Sequence, residues 1–82
     1  MAPAVEGEIL DFLRGKVVEL AGVSPAGLDA KTNIRETVVS SVKILRLVAL
    51  AERKYGVELD EDSLFDVETL GDLAGLIQRQ LQ

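Results

Sequence analysis

Ser41 is the residue best placed for chemistry. It opens a helix-patterned run, Ser40-Ser41-Val42-Lys43-Ile44-Leu45-Arg46-Leu47-Val48-Ala49-Leu50-Ala51-Glu52-Arg53-Lys54, which ends at Tyr55-Gly56-Val57. A hydroxyl at a helix start, with a glycine stop about four turns later, is a layout that suits a phosphate-linked group. Free backbone N–H groups and the positive end of the helix dipole both favour an anion there. The competing reading is an ordinary N-cap serine, contributing about 1 kcal/mol and never modified. Position alone does not separate the two.

Other chemistry has little to stand on. The chain has no Cys, and so no thiolate nucleophile, disulfide or Cys-based metal site. It has no His, the commonest general base and metal ligand. Its serines and carboxylates suggest no base partner or oriented triad, so no catalytic residue is expected and the chain does not read as an enzyme. Glu58, Asp60, Glu61, Asp62, Asp66, Glu68 and Asp72 form an acidic stretch without a base. Asp60-Glu61-Asp62 lacks the spaced ligand pattern of a calcium loop, so the stretch reads as a solvated face and no metal is expected. A net charge of −5 speaks against nucleic acid as a partner. No apolar run approaches the ~20 residues of a membrane span, and residues 1–6 lack the features of a signal peptide. A soluble cytoplasmic protein with no membrane partner is the expectation.

The elements that must position Ser41 follow from periodicity. Val5, Ile9, Phe12, Leu13, Val17, Leu20 and Ala21 recur at helical steps, predicting a helix from about residue 4 to 21, with Pro3 in its first turn and Gly22 as its stop. Residues 22–40 hold turn formers and few apolar residues, and read as a long packed loop anchored by Leu28 and Ile34. The second helix, 41–55, has a core stripe of Ile44, Leu47, Val48, Ala51 and Tyr55. Its other side carries Val42, Arg46, Ala49 and Arg53, bordered by Lys43, Leu45 and Leu50. This mixture predicts an apolar and basic contact face; the alternative is a helix buried nearly all round. Residues 59–65 allow a short helix capped by Asp60 or Asp62 and docked through Leu64 and Phe65. Thr69-Leu70-Gly71-Asp72 has the form of a capping box, and Leu70, Leu73, Ala74, Ile77 and Leu81 form the last stripe. The fold class is therefore all-α. One domain over residues 1–82 is expected, a four-helix bundle of three long helices and one short one with a long loop between the first two.

Taken together, these pieces resemble the acyl and peptidyl carrier proteins over nearly the whole chain. The matching residues are Ser41, Leu47, Glu52, Tyr55-Gly56-Val57, Leu64-Phe65 and Thr69-Leu70-x-Asp72-Leu73-Ala74, with Ile34 as the apolar anchor of the family's long loop. The resemblance implies that a phosphopantetheinyl transferase attaches 4′-phosphopantetheine, covalently, to the Ser41 hydroxyl. The arm's terminal thiol would then hold acyl or aminoacyl intermediates as thioesters. Implied partners are acyl- or aminoacyl-loading enzymes, acyltransferases and synthase modules, served by a monomer. A cargo pocket between the second and third helices, near Leu45, Leu64 and Phe65, is likewise implied.

Two departures from the family pattern sharpen the reading. The family usually has Leu-Gly-x-Asp-Ser, or Gly-Gly-x-Ser in peptidyl carriers, where this chain has Thr37-Val38-Val39-Ser40-Ser41. Ser40 is thus the alternative attachment residue; spacing to Tyr55-Gly56 and to Ile34 favours Ser41. The second helix carries Lys43, Arg46, Arg53 and Lys54 against Glu52 alone, four bases minus one acid, or +3 in a protein of net −5. Many fatty-acid carriers are acidic here. The expected docking residues are Val42, Lys43, Leu45, Arg46, Ala49 and Arg53, facing partners with an apolar and acidic patch. A dedicated polyketide or nonribosomal peptide pathway fits that surface. The reading from another class is an unmodified helical interaction module that uses the same face.

Overall fold

The computed structural model describes residues 6–81. They form α1 (Glu6–Ala21), α2 (Ile34–Thr37), α3 (Ser41–Tyr55), α4 (Glu61–Phe65) and α5 (Leu70–Leu81). The expected first turn of α1, with Pro3 and Val5, lies outside the described residues. Three long helices pack together, α1 lying against both α3 and α5. The stripes anticipated from spacing supply the core: Ile9, Leu13 and Val17 from α1, Leu47 and Ala51 from α3, Leu70, Leu73, Ala74 and Ile77 from α5. Ile44, Val48 and Tyr55 are half-buried against this core, and Tyr55 meets Phe12 edge-on, with ring centroids 5.6 Å apart. Burial pushes the Tyr55 phenol above its ordinary pKa, and the Glu8 carboxylate adds to the effect.

The segment 22–40 is not loop throughout. A single helical turn, α2, sits inside it, capped by the Asn33 side chain, whose Oδ1 accepts from the Glu36 amide at 3.0 Å. One turn buries too little for periodicity to register, so the sequence reading omitted it. Leu28 and Ile34 are inward anchors as expected, and Val38 joins them, fully buried. The segment is held by the start of α5. The Ile34 amide donates to Glu68 O at 2.9 Å, the Leu70 amide to Thr32 O at 3.0 Å and the Gly71 amide to Ala30 O at 2.9 Å. Gly71 is required by this approach, because a Cβ there would stand 2.8 Å from the Ala30 carbonyl oxygen.

The caps follow the residue types. The Asp60 carboxylate caps α4, accepting from the Ser63 amide at 2.7 Å. At α5 the Asp72 amide donates to Thr69 Oγ1 at 3.0 Å, and Asp72 Oδ2 accepts from the amides of Glu68 and Thr69, each at 3.1 Å. These backbone bonds hold the Asp60 and Asp72 carboxyls below the usual carboxylate range. One docking expectation fails: Leu64 packs against the core, but Phe65 is 77% exposed. Leu64 takes the inward face of this short helix, and Phe65, about 100° further round, falls on its open side. Among the described residues no helix is long and apolar enough to cross a membrane.

Candidate functional site

The site begins at the turn into α3. Ser40 has extended backbone geometry (φ −85°, ψ 126°), and its side chain accepts from the Lys43 amide at 3.4 Å. Ser40 is therefore the N-cap, half-buried, and Ser41 is the first helical residue, exposed. The two serines differ in their surroundings. Ser40 takes the capping role in which a short polar side chain is favoured. Ser41 is free of it and presents its hydroxyl at the positive end of the helix dipole. At the far end of α3, Gly56 adopts the left-handed conformation (φ 65°, ψ 36°) and its amide closes on Glu52 O. Glu52 also reaches past this stop, its Oε2 accepting from the Leu59 amide at 2.8 Å and fixing the path toward α4.

Two cavities lie near the first half of α3, and Ser41 lines the second of them. The first, of about 270 Å³, is an apolar groove bounded by α2, α3 and α4, with Ile44, Leu45, Leu47, Val48, Leu64 and Phe65 prominent in its lining. Leu45, Leu64 and Phe65 meet there as the sequence suggested. The second is lined by Arg35, Val39, Ser41, Ile44 and Leu45. Arg35, Ile44 and Leu45 belong to both cavities, so the Ser41 hydroxyl opens onto a space that shares walls with the apolar groove.

The face of α3 that turns away from the core is open. Val42 is 73% and Leu45 67% exposed, and Lys43, Arg46, Ala49 and Arg53 are exposed with them. The alternative of a helix buried all round is excluded; only Leu50 on that side is half-buried. Sequence reasoning passed over Val39, 84% exposed, and Arg35. Both sit in the segment read as loop, where no helical spacing linked them to Ser41.

Comparison with known proteins bears directly on this geometry. The family described as "Phosphopantetheine attachment site" matches residues 11–77. This chain belongs to that family. It is a carrier, not a catalyst, and its cofactor is covalent 4′-phosphopantetheine. The carrier is 33% identical over 75 residues to an acyl carrier protein of Thermobifida fusca, covering 90% of this chain and 95% of the relative. It is 24% identical over 78 residues to the meromycolate extension acyl carrier protein of Mycobacterium tuberculosis, covering 94% of this chain and 68% of the relative. A Rhodococcus erythropolis acyl carrier protein is 27% identical over 73 residues, covering 88% and 80% of the two chains. The residues fit the group: an exposed serine at a helix start offers a hydroxyl able to take a phosphodiester, and a base, Arg35, lines the same cavity. When bound, the arm supplies the thiol that the chain itself lacks.

Proposed function

We propose that Ser41 carries the arm and that the protein holds acyl intermediates for a dedicated assembly pathway in the cytoplasm. The observation that supports this best is the division of labour at the α3 start, with Ser40 half-buried as the cap and Ser41 exposed on a cavity that shares walls with the apolar groove. The helix start favours the phosphodiester by about 0.3–1 kcal/mol. The apolar groove offers the cargo a transient shelter. At about 270 Å³ it falls just below the ~300–1,000 Å³ of small-molecule pockets, so it suits part of an acyl chain. Its apolar lining favours an acyl over an aminoacyl cargo.

The docking surface proposed from the sequence gains two members. Val39 and Phe65 are exposed with Val42 and Leu45, and they flank the same two cavities. Lys43, Arg46 and Arg53 add the charge. Loading enzymes, acyltransferases or synthase modules with an apolar centre and acidic rim would dock here, as would the phosphopantetheinyl transferase. Rim charges act mainly on encounter rate and discrimination. This surface keeps a polyketide or nonribosomal peptide pathway as the proposed setting. A second reading, a role in acyl-chain extension, is favoured by the similarity to the meromycolate extension acyl carrier proteins of mycobacteria.

The test is an intact mass after incubation with coenzyme A and a promiscuous transferase. An adduct lost in Ser41→Ala and kept in Ser40→Ala is the expected result. An adduct that persists in Ser41→Ala would overturn the assignment.

A further inference from the structure

Arg35 is the one charged side chain lining the cavity beside Ser41; its other walls are Val39, Ile44 and Leu45. It also lines the apolar groove, where Glu61 is the other charged residue. Among the described residues the ion pairs are Arg14–Asp11 and Lys16–Glu19, both on α1, so Arg35 has no carboxylate partner. Its backbone is well anchored. Ile34 beside it is buried and bonded to Glu68 O, and α2 is capped by Asn33. Arg35 is thus an exposed cation, unpaired among the described residues, whose anchored backbone sets it at the junction of two cavities, on the wall of the one that Ser41 also lines.

A phosphodiester formed on Ser41 places its negatively charged oxygens two bonds beyond Oγ. No carboxylate lines that cavity to compete for Arg35. Arginine matches phosphate oxygens with a planar pair of N–H donors and remains charged at any physiological pH. We propose that Arg35 holds the phosphodiester of the arm in the cavity beside Ser41, making it a positioning residue that sets where the arm leaves the helix. Because Arg35 also lines the apolar groove, an arm held this way leaves α3 along the shared wall toward Ile44 and Leu45. This inference rests on Ser41 being the attachment residue.

The test uses the full chain, before and after loading by a transferase, with ¹⁵N-labelled arginine side chains. The Arg35 Nε–Hε signal is identified by its absence in Arg35→Lys. On loading, the Arg35 signal should shift while those of Arg46 and Arg53 stay in place. The ³¹P resonance of the loaded protein should move in Arg35→Gln, lie closer to wild type in Arg35→Lys, and be unchanged in Glu36→Gln, which alters a charge on the same turn. Added salt should bring the wild-type resonance toward that of Arg35→Gln. An Arg35 signal unmoved in a protein of the correct loaded mass overturns this inference and leaves the Ser41 reading intact. So does a ³¹P shift shared by Arg35→Gln and Glu36→Gln, which would mark a structural effect of α2. Failure of any adduct to form overturns both. The apo-to-loaded comparison on wild type needs no variant, so poor folding of Arg35→Gln would not remove the test.

Discussion

At the scale of single residues, two adjacent serines with the same side chain have different surroundings. Ser40 spends its oxygen on the Lys43 amide, whereas Ser41 faces outward from the first turn. The sequence favoured Ser41 by its spacing to Ile34 and Tyr55-Gly56, and the cap geometry adds a physical argument to that proposal. Ser40→Ala should therefore lower stability by about 0.5–1 kcal/mol, toward the low end for a cap because the bond is long. Urea unfolding of the apo protein measures it, and an unchanged midpoint would contradict the capping role. The acids that read as a solvated face include two more caps. Asp60 and Asp72 have carboxyls held below their ordinary range by backbone amides. Their contribution is present above about pH 4, the unfolded carboxylate pKa, and is lost as pH falls through the lower folded values. The urea midpoint should accordingly drop on acidification below pH 4. In the Asp60→Asn, Asp72→Asn double variant that drop should be shallower; equal slopes would contradict the assignment.

At the scale of elements, α1, α3 and α5 were legible because each carries an apolar stripe long enough to reveal its period. The turn α2 was not, since four residues held by Asn33 and by hydrogen bonds to α5 leave no periodic trace. Phe65 was misplaced for a related reason: a short helix shows which residues are apolar but not which of them faces in. The seam between the 22–40 segment and α5 was equally invisible, because it is built from backbone groups. Two glycines test it against ordinary helix propensity. Gly71→Ala should destabilise by about 1–3 kcal/mol, since its Cβ would meet the Ala30 oxygen at 2.8 Å and the Ala30 Cβ at 3.1 Å. Gly15→Ala, within α1 and with nothing within 4 Å of an added Cβ, should stabilise by about 0.5–1 kcal/mol. Thermal or urea unfolding reads both, and effects of the same sign would contradict the close packing at Gly71.

At the scale of the whole molecule, the charge is unevenly divided. The protein is at −5, yet α3 presents Lys43, Arg46, Arg53 and Lys54, and the acids cluster in the α4 region. Of the four large apolar residues exposed among those described, Val39, Val42 and Leu45 lie at or before the first turns of α3, and Phe65 lines the apolar groove together with Leu45. A partner that docks there meets an apolar centre with a basic rim. Reversing Arg46 and Arg53 to Glu should slow association with such a partner by about tenfold or more at low salt, with a smaller effect at high salt. Stopped-flow or biosensor kinetics would measure it, and salt-independent, unchanged rates would contradict the docking surface. The proposal that Ser41 carries the arm is central, so the most direct test is to locate the arm by fragmentation mass spectrometry. Trypsin cleavage after Arg35 and Lys43 releases Glu36–Lys43, which contains both serines. Fragment ions placing the phosphopantetheine on Ser41, with Ser40 unmodified, are the predicted result; the group on Ser40 would contradict the account.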